Sequence, residues 1–143
     1  MTAGSEIIKK IGEKLDRDGV TIYLSICTQD FARPSHFIRI ETCKMRPDGG
    51  GHAEVTLTVR VISHANADNH GNGDPEEIAQ MAAEVAGALM EIGIDAGDIW
   101  ADAAEISQRF GADGVETDAK YIYYDVVRQP DDAPTITTVE VRS

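Results

Sequence analysis

The chain has 143 residues, 42% of them hydrophobic and 27% charged, a size and balance suited to one globular domain that needs no disulfide or metal staple. Its 13 basic against 25 acidic side chains leave a net charge of −12, which speaks against a surface that grips phosphate backbones, because that requires clustered Lys and Arg. The apolar runs are far shorter than the roughly 20 residues of a membrane span, and residues 1–5 lack the basic start and apolar centre of a secretory leader, so synthesis in the cytoplasm is expected.

In residues 5–18, Ile7, Ile8, Ile11 and Leu15 fall on one stripe with a period of about 3.6. This predicts an amphipathic helix, capped by Thr2 or Ser5 and closed at Asp18-Gly19. Residues 21–27 are rich in β-branched and aromatic side chains and read as a short strand. Pro34 forbids helical continuation, and residues 36–45 then follow a period nearer two. Gly49, Gly50 and Gly51 supply a turn, and residues 54–61 alternate polar and apolar almost without exception. Together they predict a long antiparallel hairpin. Val55, Leu57, Val59 and Val61 would face a core, while Glu54, Thr56, Thr58 and Arg60 would face solvent or a neighbouring subunit.

Residues 63–73 carry Asn, His and Gly without periodicity and read as a surface loop. A helix over 75–92 follows: Asp74 caps it, Pro75 fits its first position, and Glu77 is placed as the return half of a capping box. Ile78, Met81, Ala82, Val85, Leu89 and Ile92 form its apolar face, with Gly93 as terminator. After a connector holding Ile99 and Trp100, residues 104–110 and 121–127 predict a second hairpin around the Gly-rich turn 111–114, with a loop running to Asp118 as the alternative. Residues 135–142 form a detached, strand-like run behind a Pro/Asp hinge, suited to closing its own sheet or pairing with a neighbour's edge. The expected fold is α+β: a mainly antiparallel sheet with an N-terminal helix and one long helix packed on a sheet face. It forms one domain over 1–143, with 129–143 as a C-terminal extension.

No arrangement of side chains names a reaction. His64, Asp68, His70 and Asp74 are ligand types that divalent ions accept, but they lack a fixed scaffold spacing and Asp74 is better explained as a helix cap. Cys27 and Cys43 lie on strands that could be neighbours, yet isolated cysteines in a cytoplasmic chain are ordinarily reduced, small core fillers. His36 reads as a partly exposed residue at a strand end. The glycines at 49–51 lack the lysine and the following helix of a phosphate cradle. Tyr121, Tyr123 and Tyr124 lack the basic groove of a base-stacking platform and read as sheet core and interface. No catalytic residue, metal or cofactor is expected.

Val20-Thr21-Ile22-Tyr23, continued by Gln29-Asp30-Phe31-Ala32-Arg33-Pro34-Ser35-His36-Phe37-Ile38, resembles the phage tail terminator family. That family has an N-terminal helix, an Ile-Tyr strand, a segment of the form Gln-x-Phe-x-x-Pro-x-Phe-Phe-Ile, a long hairpin, a helix and a closing hairpin. Two departures stand out: His36 replaces an aromatic, and the chain after Arg128 extends past the usual end. The resemblance implies a structural virion protein, made in the host cytoplasm, that assembles typically as a hexameric ring on the head-proximal end of a tail. There it would stop tube polymerisation and form the surface on which the head docks. The implied partners are further copies of itself, the tail tube protein and head-tail connector proteins, with DNA passing through the channel without specific binding. A strongly acidic ring would keep DNA from sticking. Met45, Arg46, Asp48, Arg60, His64, Asn69, Ile136 and Val139 are candidate subunit-interface residues. Another head-tail joint component and a metal-dependent enzyme are the alternative readings.

Overall fold

A computed structural model describes residues 3–24, 31–96 and 99–126. Helix α1 (Ala3–Leu15) leads to strand β1 (Thr21–Tyr23), then to the long hairpin of β2 (Ser35–Gly49) and β3 (His52–His64). Helix α2 (Pro75–Glu91), a small hairpin of β4 (Ile94–Ala96) and β5 (Ile99–Ala101), and the closing hairpin of β6 (Ala103–Phe110) and β7 (Gly114–Val126) follow. The main sheet has the order β1-β2-β3-β7-β6. Only the β1–β2 pairing is parallel among its ladders. The expected α+β class is therefore the observed one.

Alternation along β3 sets the layers. Val55, Leu57, Val59 and Val61 are buried and form one core with Ile7, Ile11 and Leu15 of α1 and Val85 and Leu89 of α2. Each fully buried side chain of this size contributes about 2 kcal/mol through the water it sheds. A second cluster, Ala65, Ile78, Met81, Ala82 and Val115, seats the first turns of α2. Ion pairs Lys14–Glu91 (2.6 Å) and Arg17–Glu84 (3.1 Å) tie the helices on their outer side. Tyr121, fully buried, donates its hydroxyl to the carbonyl of Ile92 at 3.1 Å and so fixes the end of α2 to the sheet.

Several expectations are corrected. Helix α1 stops at Leu15 rather than Asp18, because Asp16, Arg17 and Asp18 are exposed and the apolar stripe is exhausted. Glu77 does not close a capping box: Asp74 accepts from the Glu76 amide at 3.1 Å, whereas Glu77 accepts from Asn66 Nδ2 at 3.2 Å. Gly93 is needed for close approach, since a Cβ there would lie 2.5 Å from the Trp100 ring. The connector beyond it is the β4–β5 hairpin, whose three-residue strands are too short to show a period. The turn of the second hairpin is tight, with β7 already begun at Gly114. Cys43 is a free, exposed thiol rather than a core filler, and Cys27 and the run 135–142, with Ile136 and Val139, lie outside the described residues. The turn at 49–51 is as expected, with φ of 86°, 64° and 83°, a region that only glycine enters without strain.

Candidate assembly surfaces

Both helices pack on the same side of the sheet, and no described helix covers the other. On that bare face, alternation brings Arg39, Lys44, Arg46, Glu54, Arg60, Arg109, Glu116, Asp118 and Lys120 to the surface, with Glu41 joining them from the irregularity between Ile40 and Thr42. Arg60 is the hub. Its Nε and Nη2 donate to Asp118 Oδ1 and Oδ2 at 2.8 and 3.0 Å, and Glu41 and Glu116 stand 3.3 and 3.8 Å away. The hydrogen bond to Asp118, with the carboxylates of Asp118, Glu116 and Glu41 behind it, raises the Arg60 pKa against the opposing effect of burial. Arg39 pairs with Glu41 at 3.2 Å, Arg109 with Glu116, Lys120 with Glu105 at 3.5 Å, and Arg46 with Glu54 at 2.8 Å.

This face is close to charge balance although the chain carries −12. The acidic surplus is placed instead on the helices and their flanks, at Glu6, Glu13, Asp16, Asp18, Glu76 and Glu84 among others. The expectation of a strongly acidic wall does not fit the bare face.

Two strand edges end the sheet. Among the described residues, β1 covers β2 only from Ser35 to Phe37, which leaves the edge of β2 open to Gly49. At the far side, β6 has β7 as its one sheet neighbour. Residues 41–50 are exposed throughout, as the edge of a hairpin whose other strand stays paired with β7, and Met45 among them is 55% exposed. Such open edges offer backbone donors and acceptors to an incoming strand.

The opposite end of the bare face is closed by aromatics. Tyr23 stacks on Phe37 with centroids 4.5 Å apart, Phe31 meets Phe37 edge-on at 5.2 Å, and Phe31 lies 4.4 Å from the His64 ring. This cover buries Phe37 on the bare face, while His36 and Ile38, opposite Ser63 and Val61, are buried on the helix-bearing face. His36 is therefore wholly buried, against the expectation of partial exposure. Burial, then the charge of Arg17, pushes its pKa down to about 4. His64 is lowered as well, by burial more than Asp113, 3.7 Å away, can offset.

The candidate interface residues thus divide. Met45, Arg46 and Asp48 lie on the exposed edge of β2, Arg60 is held in the ion network, His64 sits in the aromatic end, and Asn69 is exposed in the loop before α2. The possible metal ligands are not brought together: Asp68 Oδ1 accepts from the His70 and Asn72 amides at 2.8 and 3.0 Å, and Asp74 caps α2. Among the described residues, no group of three or more His, Cys, Asp or Glu side chains is placed to hold a metal ion. Edge strands, the feature that short-range patterning misses, are signalled in the sequence only by Pro47 and the exposed alternation of 42–48.

A family model described as phage tail terminator protein matches residues 6–134. The chain belongs to the phage tail terminator family. No curated protein matches it. A tail terminator is a structural component of the phage tail, and a virion component by that membership. Among the described residues, no helix is long and apolar enough to cross a membrane. The matched span begins within α1 and takes in α2 and every strand of the main sheet, so the bare face and both open edges lie inside it.

Proposed function

We propose that the protein closes the head-proximal end of a phage tail tube as a hexameric ring, halting tube growth and forming the surface on which the head docks. The observation that carries this reading, beyond family membership, is an open sheet whose two free edges differ. Contacts between unlike surfaces repeated about one axis close into a ring, whereas like surfaces give a dimer. The partners are further copies of the chain, the tail tube protein and the head-tail connector proteins. DNA passes through without specific binding: with the bare sheet face toward the channel, its paired charges present no run of free cations to phosphate.

The test is electron microscopy of purified tail tubes growing with and without the protein, with light scattering of the protein alone. Density on one tube end together with arrested growth is the expected result, whether the free mass is that of one chain or of a ring. Tubes that keep growing with bare ends overturn the proposal, and density found only on the head side of the joint points to a connector.

A further inference from the structure

We propose that β2 of one copy pairs antiparallel with β6 of the next, with Thr42, Cys43 and Lys44 opposite Ser107, Ile106 and Glu105, so that the sheet runs on from subunit to subunit. The inference deepens the ring reading, on which it rests for the number of copies, by naming the edges that meet.

Strand direction comes first. β2, β3, β7 and β6 each run antiparallel to the one before. A second copy set beside the first by rotation, with its sheet facing the same way, therefore brings its β2 against β6 in the antiparallel sense that continues the alternation. Both edges are open among the described residues, and one chain supplies both halves of the contact.

Face and charge then fix the register. Cys43 lies opposite Leu57 and Ile106 opposite Ala119, so both belong to the helix-bearing face. Lys44 and Glu105 both belong to the bare face, opposite Thr56 and Lys120. Among the described residues, exposed Lys44 has no ion pair, and Glu105 is paired with Lys120 alone, at 3.5 Å. Setting Glu105 beside Lys44 joins the two. A slip of two residues one way puts Glu105 against Thr42; the other way it meets Arg46, which Glu54 already holds at 2.8 Å. Met45 and Phe110, 55% and 59% exposed, stand on the helix-bearing side to either flank of the Cys43–Ile106 pair and lose solvent when the edges join.

Disulfide trapping tests this cleanly. Within one chain β2 and β6 are separated by β3 and β7, about three strand spacings or roughly 14 Å, twice the reach of a disulfide at about 7 Å. A bond between these strands therefore joins two copies. One variant carries Cys27→Ser and Ile106→Cys and uses native Cys43. The second carries Cys27→Ser, Cys43→Ser, Thr42→Cys and Ser107→Cys, whose new thiols replace exposed residues and leave the core intact. Adjacent pairs alternate between hydrogen-bonded and non-hydrogen-bonded sites, so one of the two has the closer geometry. Each is oxidised mildly, free and after addition to tail tubes, and run on a non-reducing gel.

The expected result is a ladder of covalent oligomers in at least one variant, ending at the ring number. Absence of any ladder, free or on tubes, overturns the pairing, and does so most sharply when the variants still arrest tube growth. A full ladder from protein that fails to arrest growth upholds the pairing and overturns the capping role instead.

Discussion

His36 and Ser63 face each other across β2 and β3, with Nδ1 and Oγ 2.7 Å apart and neither residue exposing more than 1% of its surface. Burial keeps the imidazole neutral, with its pKa down to about 4 from an ordinary 6.5. Between those values the unfolded chain binds a proton that the folded chain refuses, so stability is complete above pH 6.5 and falls as pH drops toward 4. The loss from this group amounts to roughly 3 kcal/mol. Urea unfolding of wild type and His36→Gln at pH 7, 5 and 4 should show a steeper acid loss in wild type; parallel pH profiles would refute it.

The Arg60–Asp118 pair is bidentate and only partly exposed, at 18% and 27% of the side chains. Arg60→Ala removes the cation that Glu41, Glu116 and Asp118 share and leaves carboxylates facing one another. A destabilisation of about 2 kcal/mol is expected, with part of it recovered by adding Glu116→Gln. Chemical denaturation of the single and double variants measures both, and strictly additive effects would contradict the shared network.

A Cβ at Gly114 would lie 1.9 Å from the Ser63 carbonyl oxygen, inside the β3–β7 ladder. Gly114→Ala must push backbone aside and is expected to cost about 2 kcal/mol or more. Gly87, in the middle of α2, meets nothing within 4 Å. Gly87→Ala should therefore stabilise, by about 0.5–1 kcal/mol through helix propensity. Opposite shifts of the thermal midpoint for the two variants are the expected outcome.

Tyr121 reaches the Ile92 carbonyl at 3.1 Å and the Leu89 carbonyl at 3.5 Å. Burial, aided by Asp102, pushes its pKa up to about 12, so the hydroxyl remains a donor at neutral pH. Tyr121→Phe keeps the ring and strands those carbonyls, at about 1 kcal/mol. Faster amide exchange confined to the last turn of α2 and the β4–β5 hairpin is the local sign to look for.

Long periodic segments were legible from the residues alone. The alternation of Glu54 to Val61 gave β3 its faces correctly, and Asp74-Pro75 marked the start of α2. What escaped depended on tertiary partners. Nothing local says that Phe31 folds over Phe37, that His36 is buried on the helix-bearing face, or that β2 outruns the short β1 and leaves Cys43 exposed. Trp100 against Gly93 is likewise a contact between elements rather than a pattern within one. The resemblance carried by residues 20–38 reached the family where spacing and composition named no function.

Residues 41–50 form an exposed edge at one end of the sheet, and the Tyr23–Phe37–Phe31–His64 stack closes the other. Copies related by a single rotation all point the same way, so the two rims of such an assembly are chemically distinct: one bears the exposed hairpin end with Met45 and Asp48, the other the aromatic stack and the Arg33–Asp113 pair. Polarity is thus built into the subunit, and an object that must meet a tube on one side and a different partner on the other requires no additional component to tell top from bottom.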